Sequence, residues 1–564
     1  MIKNLSFLIL LFGFSVHSFS QEKTSDEILR DIVSREGQAR VTMAFPGRKQ
    51  AELVSGNVSV AYADDKTMSV VLSRLTVEWF IASGFKYSLI EEASPKTAFY
   101  SASVREAMEW GSYPTLPQYD SIMKHFVEKY PNLCRLDTIG TSIKGRKILA
   151  LKISDTPGTD GQKPAVFYSS TIHGDETGGF VLMMRLADYL LENYESDNEV
   201  TDLINNLDIW INPLANPDGT YNNGDVISSP VRFNSKGYDL NRNFPDPDAY
   251  TGELQKETTD MINFLGRHRF VLSANFHSGS EVINYPWDRW QRYHPDNNWF
   301  HRISRAYADT VHVYAPQGYM TDLENGVTNG YEWYKINGGR QDFVTYELQG
   351  REVTVELDED YITPPSDIGP LWEYNRRSLI DYLRNALYGI HGQVKAKTSG
   401  KPVPAKIIIK GHDRDNSHVF ADTLSGRFVR LLSPGVWDLS FTANGYRDTT
   451  VSGIVVENGS RTDITVEMDS VITRVDTIGM NKALLYPNPA GSFVMAALPD
   501  NICGLLWVEI FSLTGAKLSE SGIEKNDNSP VILDVKHLKN GIYIISITSE
   551  TMRYRSRSIL IISR

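Results

Sequence analysis

The sequence predicts an α/β fold: a mixed, mostly parallel sheet with helices on both faces, preceded by a small α/β region and followed by two small all-β sandwich domains. Three observations predict it. Between residues 108 and 388, strand-like runs alternate with helix-periodic stretches, as in sheets built by helical crossovers. Residues 165–172 carry no charge, which suits a strand buried on both faces. Beyond residue 389 the texture changes to short alternating runs punctuated by Ser399-Gly400, Ser425-Gly426 and Pro434-Gly435, a sandwich pattern.

Taken in order, residues 1–20 place one lysine before an apolar run and then small residues, a secretory signal peptide too short to span a bilayer. Residues 21–107 read as a pro-region and linker. Runs at 39–45, 58–62, 70–72 and 85–90 read as strands, 75–83 as a short amphipathic stretch, and polar residues 94–107 as the linker. In the central region, 165–172, 207–214, 271–276 and 353–357 read as strands and 177–194 as a helix. The first sandwich occupies 389–469, with runs at 390–394, 405–409, 427–432, 437–441 and 463–466. Residues 470–483 form a linker, and 484–564 a second β module with runs at 508–511, 531–535 and 542–547.

At 564 residues the chain is too long for one core. Its net charge of −12 argues against non-specific nucleic-acid binding. No later segment is long and apolar enough to cross a membrane. Cys134 and Cys503 fall in different regions and read as free, largely buried thiols.

His173-Gly-Asp-Glu176, with His277 downstream, carries the chemistry. Two imidazoles and one carboxylate make a zinc site with one position left open, as catalytic sites have. Both histidines follow predicted strands, where open α/β sheets place their sites. Asp239 is a candidate to hold the second nitrogen of His173. The segment from Arg232 to Asp246 is rich in donors and suits a carboxylate ligand, or else a solvated loop. Glu356 sits in a strand-like alternation; alone it reads as an exposed strand residue, and near a metal-bound water as a general base.

Together these residues resemble the zinc metallocarboxypeptidases, in particular the carboxypeptidase N/E-like branch. Five groups carry the resemblance: 145–176; Asn212-Pro-Leu-Ala-Asn-Pro-Asp-Gly219; 232–246; His277-Ser-Gly-Ser with Tyr285-Pro-Trp-Asp288; and 329–334 with 338–342. The resemblance implies one zinc ion on His173, Glu176 and His277. It implies Glu356 as general base and Arg232 as the group that polarises the scissile carbonyl. Asn241 and Arg242 would grip the substrate's C-terminal carboxylate, and Tyr334 would close over it. Asp288 and Gln341 would line the side-chain pocket and favour Lys or Arg. Asp175 stands where the family usually has Asn.

Residues 389–468 resemble the transthyretin-like sandwich that follows this branch's catalytic domain. Residues 484–564, with Tyr486-Pro-Asn-Pro-Ala490 and Leu538-Lys-Asn-Gly-Ile-Tyr-Ile, resemble a type IX secretion C-terminal sorting domain. That implies release from, or attachment to, the outer surface of a Bacteroidetes-type bacterium, with the type IX machinery as partner. The expected substrates are peptides and proteins with a free C-terminus. The pro-region's place predicts that it covers the catalytic cleft and holds a zymogen inactive. Two other readings stand: a cell-wall peptide carboxypeptidase or amidohydrolase on the same scaffold, and an inactive binding module.

Overall fold

The computed structural model describes residues 24–90, 100–471, 482–499, 502–549 and 554–563. The expected signal peptide lies outside them, as do residues 94–99 of the first linker and most of the second.

The leading module is an antiparallel sheet in the order Ser59–Ala63, Thr67–Ser73, Gln38–Ala44, Ser88–Leu89. Two of its helices, Ser25–Glu36 and Arg48–Ser55, were not anticipated from the sequence. The first has a local cause. Thr24 and Glu27 form a capping box, Leu29 and Val33 bury one face four residues apart, and Gly37 ends the helix at φ 86°.

The central body is built on an eight-stranded sheet. Its order is Val327–Asn329, Ser280–Tyr285, Glu352–Asp358, Leu272–His277, Ala165–Ser170, Asp208–Asn212, Lys147–Ile153, Cys134–Thr141. The four middle strands from Glu352–Asp358 to Asp208–Asn212 run parallel. Antiparallel pairings appear toward both sides. The middle strands are the four that the sequence announces; Ala165–Ser170 carries no charge, in keeping with burial on both faces, whereas Glu352–Asp358 keeps three carboxylates. The flanking strands carry Arg135, Asp137, Lys147 and Glu281, and were not anticipated. Helix Gly178–Glu192 is buried along most of its length. It lies so close to the sheet that a Cβ at Gly179 would stand 2.2 Å from Ser170 Oγ and 3.0 Å from Phe276 Cβ.

The next domain packs a three-stranded sheet against a four-stranded one around its own apolar core. It is tied to the central body through Asp296, which accepts from Arg351 (2.7 Å), Arg430 (2.6 Å) and His412 (2.8 Å). Arg430 and His412 belong to the sandwich. Asp296, Arg351 and Arg430 are all buried, so losing either arginine would strand a charge.

The last module is again three strands against four. It seats Phe493 on Phe343, with ring centroids 5.4 Å apart and planes 21° apart, and Met495 against Gly266. The two cysteines are free, as expected. Cys134 is buried, but Cys503 is exposed, contrary to expectation; it follows buried Ile502 at the start of a strand of alternating burial.

Candidate active site

His173 lies three residues beyond strand Ala165–Ser170, and His277 ends the neighbouring strand Leu272–His277. Between Ser170 and His173 the chain bends through Thr171, which holds φ 61°. A β-branched residue is strained there, and such strain clusters where geometry is over-determined. Gly174 is required by close approach: a Cβ would stand 2.3 Å from the Gly219 carbonyl carbon.

Nδ1 of His173, Nδ1 of His277 and the Glu176 carboxylate converge. Glu176 Oε1 is 2.8 Å from His173 Nδ1, and Oε2 is 2.7 Å from His277 Nδ1. The three side chains are buried and offer ligand atoms within 4.8 Å of one another. The outer nitrogens are held as well. His173 Nε2 lies 3.1 Å from Asp239 Oδ1, and His277 Nε2 lies 2.6 Å from the Asn275 amide. Asn275 Oδ1 otherwise has no partner among the described residues. Turning that amide by 180° lets Oδ1 accept from Nε2–H and leaves Nδ1 its lone pair, the tautomer a metal ligand needs. Burial keeps His277 neutral by pushing its pKa down to about 4. Two neutralisable imidazoles and one carboxylate, each oriented from behind, fit a zinc ion. The sequence reading missed Asn275, although its position two residues before His277 puts it on the same face of the strand.

Asp239 joins the other groups. Its Oδ1 also accepts from the Asn241 backbone (2.9 Å), and Oδ2 accepts from Arg232 Nε (2.9 Å) and Ser59 Oγ (2.6 Å). Burial alone would raise its pKa, but Arg232 and His173 outweigh burial and hold the carboxyl well below its usual range. Arg232 Nη1 also reaches Glu176 Oε1 at 3.1 Å. Glu356 is partly buried at the same pocket; burial first, then the Glu176 charge, pushes its carboxyl well above its usual range.

Asn241, Arg242, Tyr334 and Asp288 line this pocket too. Arg242 Nη1 donates to the Asn241 carbonyl at 2.9 Å, whereas buried Nε and Nη2 have no partner among the described residues. Asp288 Oδ1 accepts from Gln341 Nε2 (2.9 Å) and Asn284 Nδ2 (3.0 Å). Burial raises the Asp288 pKa to about 6. The candidate metal ligands, Arg232, Glu356, Asn241, Arg242, Tyr334 and Asp288 therefore line one pocket, with Asp239 and Gln341 joined to it by hydrogen bonds. A larger cavity of about 520 Å³ lies where the central body meets both β modules, but it contains none of these groups.

The pocket also has walls that the sequence reading did not name. Val60 and Ala61 of the leading module line it, and Tyr334 Oη donates to the Val60 carbonyl at 3.5 Å. Asp175 is not among the pocket-lining residues and pairs with Arg40 of that module.

A parallel-centred α/β sheet with a His–Glu–His cluster at its strand ends defines a metallohydrolase class of protein. Residues 119–378 match the family "Zinc carboxypeptidase", and residues 484–562 match "Secretion system C-terminal sorting domain". The chain is 33% identical over 343 residues to carboxypeptidase M of Mus musculus, covering 58% of this chain and 77% of that protein. It is 30% identical over 382 residues to the carboxypeptidase N catalytic chain of Homo sapiens, covering 59% of this chain and 82% of that one. Carboxypeptidase D of Homo sapiens is 32% identical over 383 residues, 65% of this chain, which spans only 27% of that protein's length. The fold is similar to that of carboxypeptidase A from Helicoverpa armigera, with TM-score 0.50, 21% identity, and 62% and 97% of the two chains covered. The chain belongs to the zinc carboxypeptidase family.

Proposed function

We propose that the protein is a zinc-dependent exopeptidase that removes C-terminal residues, Lys or Arg by preference, from peptides and proteins. Arg242 carries this reading. A guanidinium with two buried, unpartnered nitrogens calls for an anion, since an orphaned charged donor is costly. The neighbouring Asn241 and Tyr334 suit a planar carboxylate, and the His–Glu–His cluster lies in the same pocket. A free C-terminus held there would place its last peptide bond toward Arg232 and Glu356.

His173, Glu176 and His277 would hold a zinc ion, which would supply Lewis-acid activation of water. Glu356 would take a proton from the attacking water and return it to the leaving amine. Burial raises its affinity for protons, which suits the acceptance step. Arg232 stabilises the oxyanion, and Asp239 fixes Arg232 and His173 with opposite oxygens. Asp288, held by Gln341 and Asn284, faces the incoming side chain and favours a cation. The sorting domain supports export through the type IX machinery to the cell surface or beyond, after a signal peptide at residues 1–20.

The test is hydrolysis of one peptide in three forms: ending in Arg, ending in Phe, and ending in Arg amide. Release of free Arg, lost on chelation and restored by zinc, is expected from the first. Equal cleavage of the amide would refute an exopeptidase.

A further inference from the structure

We propose that the cleft of about 520 Å³ where the central body meets both β modules binds a small organic polyanion, a polycarboxylate or a sugar phosphate, between Arg269 and Arg427. The topology sets this cleft apart from the metal cluster. Ala165, Val271 and Arg351 line it, and each opens or immediately precedes one of the parallel strands Ala165–Ser170, Leu272–His277 and Glu352–Asp358. The same strands lead to His173, His277 and Glu356, so a strand of six residues, about 20 Å, separates the two places. Facing these strand ends is the three-stranded sheet of the first sandwich. There Gln393 pairs with Arg427 on one side and Thr465 on the other, and His391 pairs with Val429 and Asp463. Register partners share a face, as do alternate residues of a strand. Arg427, Gln393, His391, Asp463 and Thr465 therefore stand on one face, and all five line the cleft. The opposite face holds Ile390, Val394, Phe428 and Val466 in the apolar core. Tyr486 of the last module forms a third wall.

The charges in the cleft do not cancel. Arg351 pairs with Asp296 at 2.7 Å, Arg461 with Asp463 at 2.7 Å, and Lys163 with Asp155. Arg269 and Arg427 make no ion pair among the described residues. Arg427 is exposed, and a solvated guanidinium alone needs no partner. Here it shares one cleft with a second unpaired guanidinium, that of Arg269, which is half-buried and lies 4.9 Å from the centre of the Tyr486 ring. Two such groups, one from the central body and one from the sandwich, call for a ligand with at least two oxyanion groups, because each guanidinium can grip one bidentately. The backbone supports a built site. Arg269 follows helix Lys256–His268 in the left-handed region at φ 47°, where glycine is usual, and Gln349, two residues past helix Arg340–Glu347, does the same at φ 58°. Both line the cleft. A long side chain kept in that conformation costs energy, and such strain gathers at ligand sites. The amides of Gln349 and Gln393, and a volume in the range of small-molecule sites, suit a polar body of several carbons rather than a bare ion. Binding there is independent of the carboxypeptidase chemistry.

The test is calorimetric titration of the full chain with tricarballylate and with a hexose bisphosphate. It is run in an Arg242→Ala background, so that the carboxylate pocket beside the metal cluster does not contribute. At least one probe is expected to bind with Kd below about 1 mM, and the one that binds more tightly assigns the anion as carboxylate or phosphate ester. Acetate, which can meet only one guanidinium, should bind at least about 10-fold more weakly. Arg269→Gln and Arg427→Gln should each weaken the tighter probe by about 10-fold or more, and Arg427→Glu should abolish its binding. Arg427 is exposed, so its two variants carry the test even if Arg269→Gln fails to fold. The tighter probe should also raise the melting temperature of the chain, and should not do so in Arg427→Glu. Absence of binding by both probes, equal affinity in the Arg427 variants, or acetate binding as tightly as the polyanions would each overturn the proposal.

Discussion

Glu356 and His277 are register partners on adjacent parallel strands. Their backbones therefore fix the distance between the proposed base and a proposed metal ligand, with no loop between them. Such placement makes Glu356 a group whose charge can be removed without moving the cluster. Glu356→Gln should lower kcat by about 10²–10⁴-fold, the usual contribution of a general base. Zinc content, measured on the purified protein, should stay at one ion per chain. A variant that loses both would mark Glu356 as a structural prop instead.

The strand at 165–172 was legible because its two buried faces leave it without charge, whereas Glu352–Asp358 was legible from its alternation. The metal cluster was legible because His173, Glu176 and His277 keep their identities whatever surrounds them. Glu356 was less so: a carboxylate in an alternating run means nothing until register places it beside His277. Asn275 was hidden because a neutral amide in a strand is a commonplace. Arg40, Gln38 and Ser59 were out of reach, since they meet the site across more than a hundred residues of chain and only tertiary structure joins them.

Arg242 should govern recognition of the C-terminus rather than the choice of side chain. Two of its buried nitrogens have no partner among the described residues, and its side chain lines the pocket. Arg242→Ala should cut kcat/KM by about 10²-fold for peptides ending in Arg and in Phe alike, because both lose the same carboxylate partner. An Arg-to-Phe ratio that shifts strongly in this variant would place Arg242 in the side-chain pocket instead.

Asp288 should make the preference for basic residues depend on pH. Burial holds its pKa at about 6, so it is charged above that pH and neutral below it. The Arg-to-Phe ratio of kcat/KM should be full above pH 7 and fall as pH drops through about 6. Asp288→Ala should flatten that profile and lower the ratio at pH 7.5 by about 10-fold or more. A ratio independent of pH from 5 to 8 in the wild type would contradict the assignment.

Glu347 makes a prediction about stability. It is 1% exposed and sits at the end of the helix Arg340–Glu347, beneath the last β module at Gly491. Burial pushes its pKa up to about 8, with Arg289 opposing and Asp246 adding to the rise. The folded chain thus holds a proton that the unfolded chain releases near its ordinary carboxyl range of about 4.3. Below that range the contribution to stability is fully present; between it and about 8 it is lost as pH rises, at roughly 1.4 kcal/mol per unit. Glu347→Gln keeps the shape and removes the titration. The variant should melt close to wild type at pH 4.5 and clearly above it at pH 8.5 in paired scans. A constant offset at both pH values would mean that the glutamate is held charged, and that Arg289 rather than burial sets its state.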